Sequence, residues 1–392
     1  MLFSIALITL SGMFLGWLSK KVKLPSLVGM LLAGIIAGPY VLNLIDSTVL
    51  NISADIRKTA LIIILTRAGL SLDINGLKKI GRPAVLMCFV PATFELLGII
   101  ILGPPLLGLT RMEAAVTGAV LAAVSPAVVV PRMVKLMEEG YGTDKKIPEL
   151  ILAGASVDDV YVIVLFTTFT GMMQGSGVSI IKFVNIPFSI AAGILAGTLA
   201  GILLSVFFKK VEIRDTAKVL IVLSISFILS FCEDNLNTPL TFSSLIAIMF
   251  TGSSIKKKSP KTAEHLSSKY NKLWVCAEIF LFVLVGTQVN ISYIKKAGIM
   301  TLILIICALV FRMAGVFVCL FKTNLNIKEK LFTMAAYCPK ATVQAAIGGI
   351  PLSLGLSCAT STLTCAVLAI VLTAPLGAFA IDLSYKKLLK KS

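Results

Sequence analysis

Charge is scarce in this 392-residue chain: only 14% of residues are Asp, Glu, Lys or Arg, and acids are the rarer sign, 19 against 36 basic residues. There is one histidine, and the eight cysteines form no CxxC pair. Each shortage excludes something. With 57% hydrophobic residues, against roughly 45–50% in soluble domains, no soluble domain has room to fit. Cysteines scattered through apolar segments without ligand spacing read as small core residues. The lone His265 lies in the most basic loop, where a solvated residue is the default and pH sensing the lesser reading, so proton chemistry must rest on carboxylates. A net charge of +17 raises nucleic acid as a partner until the charges are placed along the chain.

What is there is apolar length. Mean hydropathy is +0.97, and runs of about 20 apolar residues recur nearly end to end, which argues for packed membrane helices rather than a barrel. Punctuation by Pro, Gly and charge predicts thirteen spans near 1–19, 25–43, 57–72, 84–102, 113–134, 150–173, 186–208, 217–231, 239–254, 273–290, 298–321, 331–351 and 361–383. The first run lacks a basic leader and is followed by Lys20, Lys21 and Lys23, so it reads as a retained helix with residue 1 outside. On that map, with Arg57, Lys58, Arg132 and Lys218 at span ends counted with the adjoining loops, the cytoplasmic loops and tail hold 27 Lys and Arg, the external loops six and the spans three. This is a strong positive-inside pattern, and it disposes of nucleic acid. KKVK at 20–23, Lys256–Lys258 and KKLLKK at 386–391 serve better as topology signals than as lipid-recognition sites.

Seven spans separate the start of the first six-span group from that of the second, so the groups enter the membrane from opposite sides. The predicted fold is an all-α membrane protein of about thirteen transmembrane helices within a single domain, 1–392. Residues 1–173 form one inverted repeat, 186–208 a linker helix and 215–392 the second repeat. Secondary transporters commonly use such repeats, with sites at helices broken by Pro and Gly. Two segments in corresponding places qualify: VSPAVVVP, with Pro126 and Pro131, and CPKATVQAAIGGIP, with Pro339, Gly348, Gly349 and Pro351. Proline removes a donor and disfavours the preceding helical geometry, and backbone left unpaired at membrane depth needs protein or water around it. The two breaks are expected to lie together at a polar centre; for either alone a functionless kink is an equal reading.

Within the spans lie Asp158 and Asp159, Glu95, Arg312 and Lys340. Ionisable groups at this depth are costly and mark ion pathways. Adjacent residues on a helix point about 100° apart, so the two aspartates need different partners. The simplest arrangement pairs Glu95 with Arg312 and Asp158 with Lys340, since unpaired buried charge costs far more than paired charge. Asp159 is left over, and three acids against two bases leave a deficit that a proton or a small monovalent cation fills. An ionised Asp159 holds a hard cation with oxygens such as those of Ser125 and Ser156; protonated, it does not. A structural salt-bridge network is the competing reading for the aspartates, and for Glu95 and Arg312 a structural pair is the leading one. Lys340 stands between the two roles. Arg67 in LTRAGLSLD is expected to snorkel to the cytoplasmic face, and Glu278 stays ambiguous.

GAVLAAVSPAVVVPRM, GYGTDKKIPELILAGASVDDV and LFTMAAYCPKATVQAAIGGIP together resemble the sodium/proton antiporters of the cation/proton antiporter superfamily, especially the NHA branch, over the whole membrane domain. The resemblance implies a homodimer whose core domains, spans four to six and eleven to thirteen, rock in an elevator-like alternating access. Spans one to three and eight to ten would then form a dimerisation scaffold. It implies Asp159 as the indispensable carboxylate shared by cation and proton, and Asp158 as its partner. Glu95 and Arg312 match the buried pair, and Lys340 the lysine of the broken helix. The expected function is exchange of Na+ or Li+ for H+, without enzymatic activity or cofactor, by a minimal multi-pass exchanger of a prokaryotic plasma membrane with its C-terminus cytoplasmic. The alternatives are a K+/H+ antiporter and a sodium-coupled organic-solute symporter of the same fold. An intramembrane aspartyl protease is disfavoured, because its two carboxylates must face each other from different segments.

Overall fold

The structure, a computed structural model, describes residues 1–71, 81–174, 180–235 and 242–391. Among these the chain is helical, with one isolated antiparallel bridge between Tyr141 and Lys391. In chain order the helices are α1 (Leu2–Lys21), α2 (Ser26–Ala37), α3 (Ser47–Asn51), α4 (Ser53–Ser71), α5 (Arg82–Met87), α6 (Val90–Leu107), α7 (Arg111–Leu121), α8 (Pro126–Glu139) and α9 (Ile147–Gln174). They continue as α10 (Ile180–Lys210), α11 (Asp215–Asn235), α12 (Ser244–Lys258), α13 (Pro260–Thr287), α14 (Ile291–Cys319), α15 (Ile327–Ala336), α16 (Thr342–Ile347), α17 (Ile350–Ser353) and α18 (Ala359–Leu388).

Nine stretches among the described residues are long and apolar enough to cross a membrane. Of the thirteen expected spans, those at 25–43, 57–72, 239–254 and 331–351 fall short of that measure. The causes are local: α2 has 12 residues, α4 carries Asp55, Arg57, Lys58 and Arg67, α12 has 15 residues, and 331–351 is divided among short helices. The expected start of the span at 239 lies outside the described residues.

The chain forms two compact units. One comprises Met1–Ala54, Asp73–Thr170 and Leu281–Ser392; the other comprises Asp55–Leu72 and Gly171–Phe280. In the first, α6 packs along α14 and against α7, while α18 lies on α15, α14 and α7. Its core gathers Met87 of α5, Val129 of α8, Ile151 and Ala155 of α9 and Val316 of α14 with Val124 and Tyr337 just past α7 and α15, all nearly inaccessible. In the second unit α10 packs along α12. Gly193, Gly197 and Gly201 recur one turn apart on α10, and a Cβ at Gly197 would lie 2.1 Å from the Ala247 carbonyl oxygen. Small residues at that spacing let two backbones approach, which is how helices associate where lipid supplies no hydrophobic drive.

Three helical runs in the first unit are interrupted. α5 gives way to α6 at Cys88 and Phe89, α7 to α8 at 122–125, and α15 to α16 at 337–341. Both α7 and α15 begin with a capping box, Thr110 with Glu113 and Asn326 with Glu329, so each half-helix is anchored at its start and free to end early. Pro126 occupies the first position of α8, where its missing N–H is harmless. Pro131 corrects an expectation: it lies inside α8, so the break precedes Pro126 and the Val128–Val130 stretch is helical. Gly348 likewise keeps its backbone bond to Gln344, 2.9 Å, and Pro351 merely opens α17; the wide break of this segment is at Pro339.

Candidate ion-exchange site

The two wide breaks touch: the Ser125 N–H donates to the Pro339 carbonyl at 2.8 Å. Around that contact the half-helices α7 and α15 present carbonyls at their C-terminal ends, which carry partial negative charge. Cationic and amide donors meet them. Arg312 of α14 donates through Nε to the Tyr337 carbonyl at 2.6 Å and through Nη1 to the Ala122 carbonyl. Lys340 Nζ lies 3.4 Å from the Ala123 carbonyl. Gln344 Nε2 donates to the carbonyls of Leu121 and Ala123 at 3.2 and 2.9 Å.

The same donors hold the acids. Glu95 Oε2 accepts from Arg312 Nη1 at 2.9 Å and from Lys340 Nζ at 2.7 Å. Asp158 Oδ2 accepts from Arg312 Nη2 at 2.9 Å and from the Val124 N–H at 2.8 Å. Glu95, Asp158, Arg312 and Lys340 are all fully buried. The expected Glu95–Arg312 pair is present; the expected Asp158–Lys340 pair is not. Lys340 reaches Glu95 instead, and Asp158 shares Arg312, because a guanidinium fork serves several acceptors at once while an ammonium is a single point of charge.

Asp159 stands apart. It is 9% exposed, no salt bridge reaches it among the described residues, and its Oδ1 is buried without a hydrogen-bond partner. Glu95 Oε1, Asp158 Oδ1, Ser125 Oγ, Thr342 Oγ1 and Gln344 Oε1 are in the same condition. Ser125, Thr342 and Gln344 belong to the two broken segments, and Glu95 and Asp158 are tied to those segments through Lys340 and the Val124 N–H. Buried oxygens of this kind, two of them neutral hydroxyls, are the donor set a hard cation takes. Among the described residues no three Asp, Glu, His or Cys side chains converge, so a cation here would complete its shell with hydroxyl and carbonyl oxygens. Ser156 lies on α9, but its side chain is outside the described residues.

His265 is largely exposed and pairs with Asp215 at 3.1 Å in the second unit, away from the breaks in sequence. Arg67 and Glu278, both half-buried, also belong to that unit. Sequence reasoning missed Gln344, Tyr337 and the carbonyls of 121–123. A glutamine inside an apolar run was the one available signal; the carbonyls have no residue type to betray them.

The family described as "Sodium/hydrogen exchanger, transmembrane" matches residues 5–382. Sodium/hydrogen exchanger 9B2 of Xenopus tropicalis is 33% identical over 410 residues, covering 100% of this chain and 75% of the relative. The human 9B2 exchanger is 31% identical over 385 residues, covering 94% and 70%. Among solved structures, the sodium proton antiporter MjNhaP1 from Methanocaldococcus jannaschii at pH 8 has the same fold, with a TM-score of 0.85 at 20% identity over 99% of both chains. The chain belongs to the sodium/hydrogen exchanger family of the cation/proton antiporter superfamily, a multi-pass membrane protein that exchanges a cation for protons.

Proposed function

We propose that the exchange is of Na+, or Li+, for H+, and that Asp159 carries the two ions in turn. One observation supports this above the rest: two cations are committed to Glu95 and Asp158, while the adjacent Asp159 has none among the described residues and keeps a bare oxygen. A carboxylate so placed gains by taking either guest, since each cancels a charge that is expensive at membrane depth. Neutral oxygens of Ser125 and the broken helices complete the cation's shell. Elevator-like movement of a core against a scaffold, within a homodimer, is the form of alternating access we assign to it. The excess of Lys and Arg in alternate loops favours an N-terminus outside and a C-terminus in the cytoplasm.

Competition gives the test. In proteoliposomes of the full chain, Na+ drives proton flux, and the apparent KM for Na+ rises about tenfold for each unit that the pH falls once the carboxyl is mostly protonated. Asp159→Asn keeps the shape, removes the titration and abolishes exchange. Absence of Na+-dependent proton flux in the parent, or full exchange in the Asp159→Asn variant, would sink the reading.

A further inference from the structure

The geometry points to Tyr337 as a positioning residue for this site, holding α9 and Arg312 in register with each other. Tyr337 is fully buried at the end of α15 and makes three separate connections. Its carbonyl accepts from Arg312 Nε at 2.6 Å. Its ring lies beside the same guanidinium, 5.0 Å from centroid to Cζ, within the range of a cation–π contact. Its hydroxyl donates to the Met87 carbonyl at 2.9 Å, across 250 residues of chain. That carbonyl is the last of α5, at the interruption before α6, where no helical donor follows to claim it.

The phenol reaches Met87 through a notch in α9. At Gly154 a Cβ would lie 2.5 Å from the Tyr337 hydroxyl and 3.3 Å from its Cζ, with Met87 Cβ at 2.8 Å. Gly154 precedes Asp158 by four residues, one turn or about 6 Å along the axis. A single side chain thus touches the helix that carries the aspartates, the arginine that holds one of them and the broken end of a third helix. Arg312 holds Asp158 through Nη2, so the relative depth of α9 and Arg312 decides how firmly that carboxylate is kept. Tyr337 fixes that depth without touching the transported ion.

The inference rests on the antiport reading above, and its experiment separates the two. Tyr337→Phe is close to isosteric, so it folds, but it leaves the Met87 carbonyl buried and unpaired. In proteoliposomes its apparent KM for Na+ rises about fivefold, the scale of one buried hydrogen bond, with a smaller fall in Vmax. Its pH profile moves to higher pH, because an Asp158 carboxylate less firmly neutralised by Arg312 leaves more negative charge beside Asp159, where the proton then competes with the cation at higher pH. Gly154→Ala raises KM further, and adding Tyr337→Phe to it lowers KM again, because the closest clash has been removed. An unchanged KM and pH profile in Tyr337→Phe, or effects of the two substitutions that simply multiply, would overturn the assignment while leaving Asp159 as carrier. If the parent moves no protons with Na+, both readings fall together. Should Gly154→Ala fail to fold, the Tyr337→Phe profile decides alone.

Discussion

Arg312 commits one guanidinium to four acceptors, the carboxylates of Glu95 and Asp158 and the carbonyls of Ala122 and Tyr337. Glu95 in turn answers two cations through a single oxygen. Such a network is stable only as a whole. Glu95→Gln strands Lys340 in a buried site and is expected to cost about 3–5 kcal/mol of stability, read as a lower melting temperature in detergent. Combining it with Lys340→Met should recover much of that loss, because the stranded charge goes too; a double variant as unstable as the single would refute the pairing. The residue types of this centre were legible in the sequence, since five ionisable groups in apolar spans have few uses. Their pairing was not. Which base meets which acid depends on how each helix is rotated and how deep it sits, and neither quantity is encoded locally.

At the scale of elements, proline marked both segments: Pro126 and Pro339 stand at the breaks, whereas Pro131 and Pro351 lie in helices. Both prolines of VSPAVVVP read as marks of the break, yet α8 starts at Pro126 and runs through Pro131. The polypeptide opens instead where α7 ends, because the Leu121, Ala122 and Ala123 carbonyls find Gln344, Arg312 and Lys340 rather than the next turn's amides. Partners from distant helices decide where a helix stops, and a local pattern cannot see them. The α10–α12 seam of the second unit tests packing separately from ion chemistry. Gly197→Ala forces a methyl against the Ala247 carbonyl and should destabilise the protein by about 1–3 kcal/mol, whereas Gly171→Ala, which meets nothing within 4 Å among the described residues, should leave the melting temperature equal or higher. Equal effects from both would mean the seam does not hold that unit together.

For the whole molecule, hydropathy was enough to read a helical membrane protein, and the nine long apolar stretches bear that out. The proposed topology rests on the Lys and Arg distribution and has its own check. A cysteine introduced at Lys258, in a chain whose own cysteines are replaced, should react with a membrane-impermeant thiol reagent only from the cytoplasmic side; labelling from outside would invert the map. One further property follows from the bond between the Ser125 amide and the Pro339 carbonyl. That link is made entirely of main chain, and no substitution short of proline at position 125 removes its donor or its acceptor. The crossing point is therefore insulated from point mutation, while the carboxylates and hydroxyls around it can be exchanged one at a time. A lineage can alter which ion such a protein prefers without first dismantling the junction that holds the ion's seat in place.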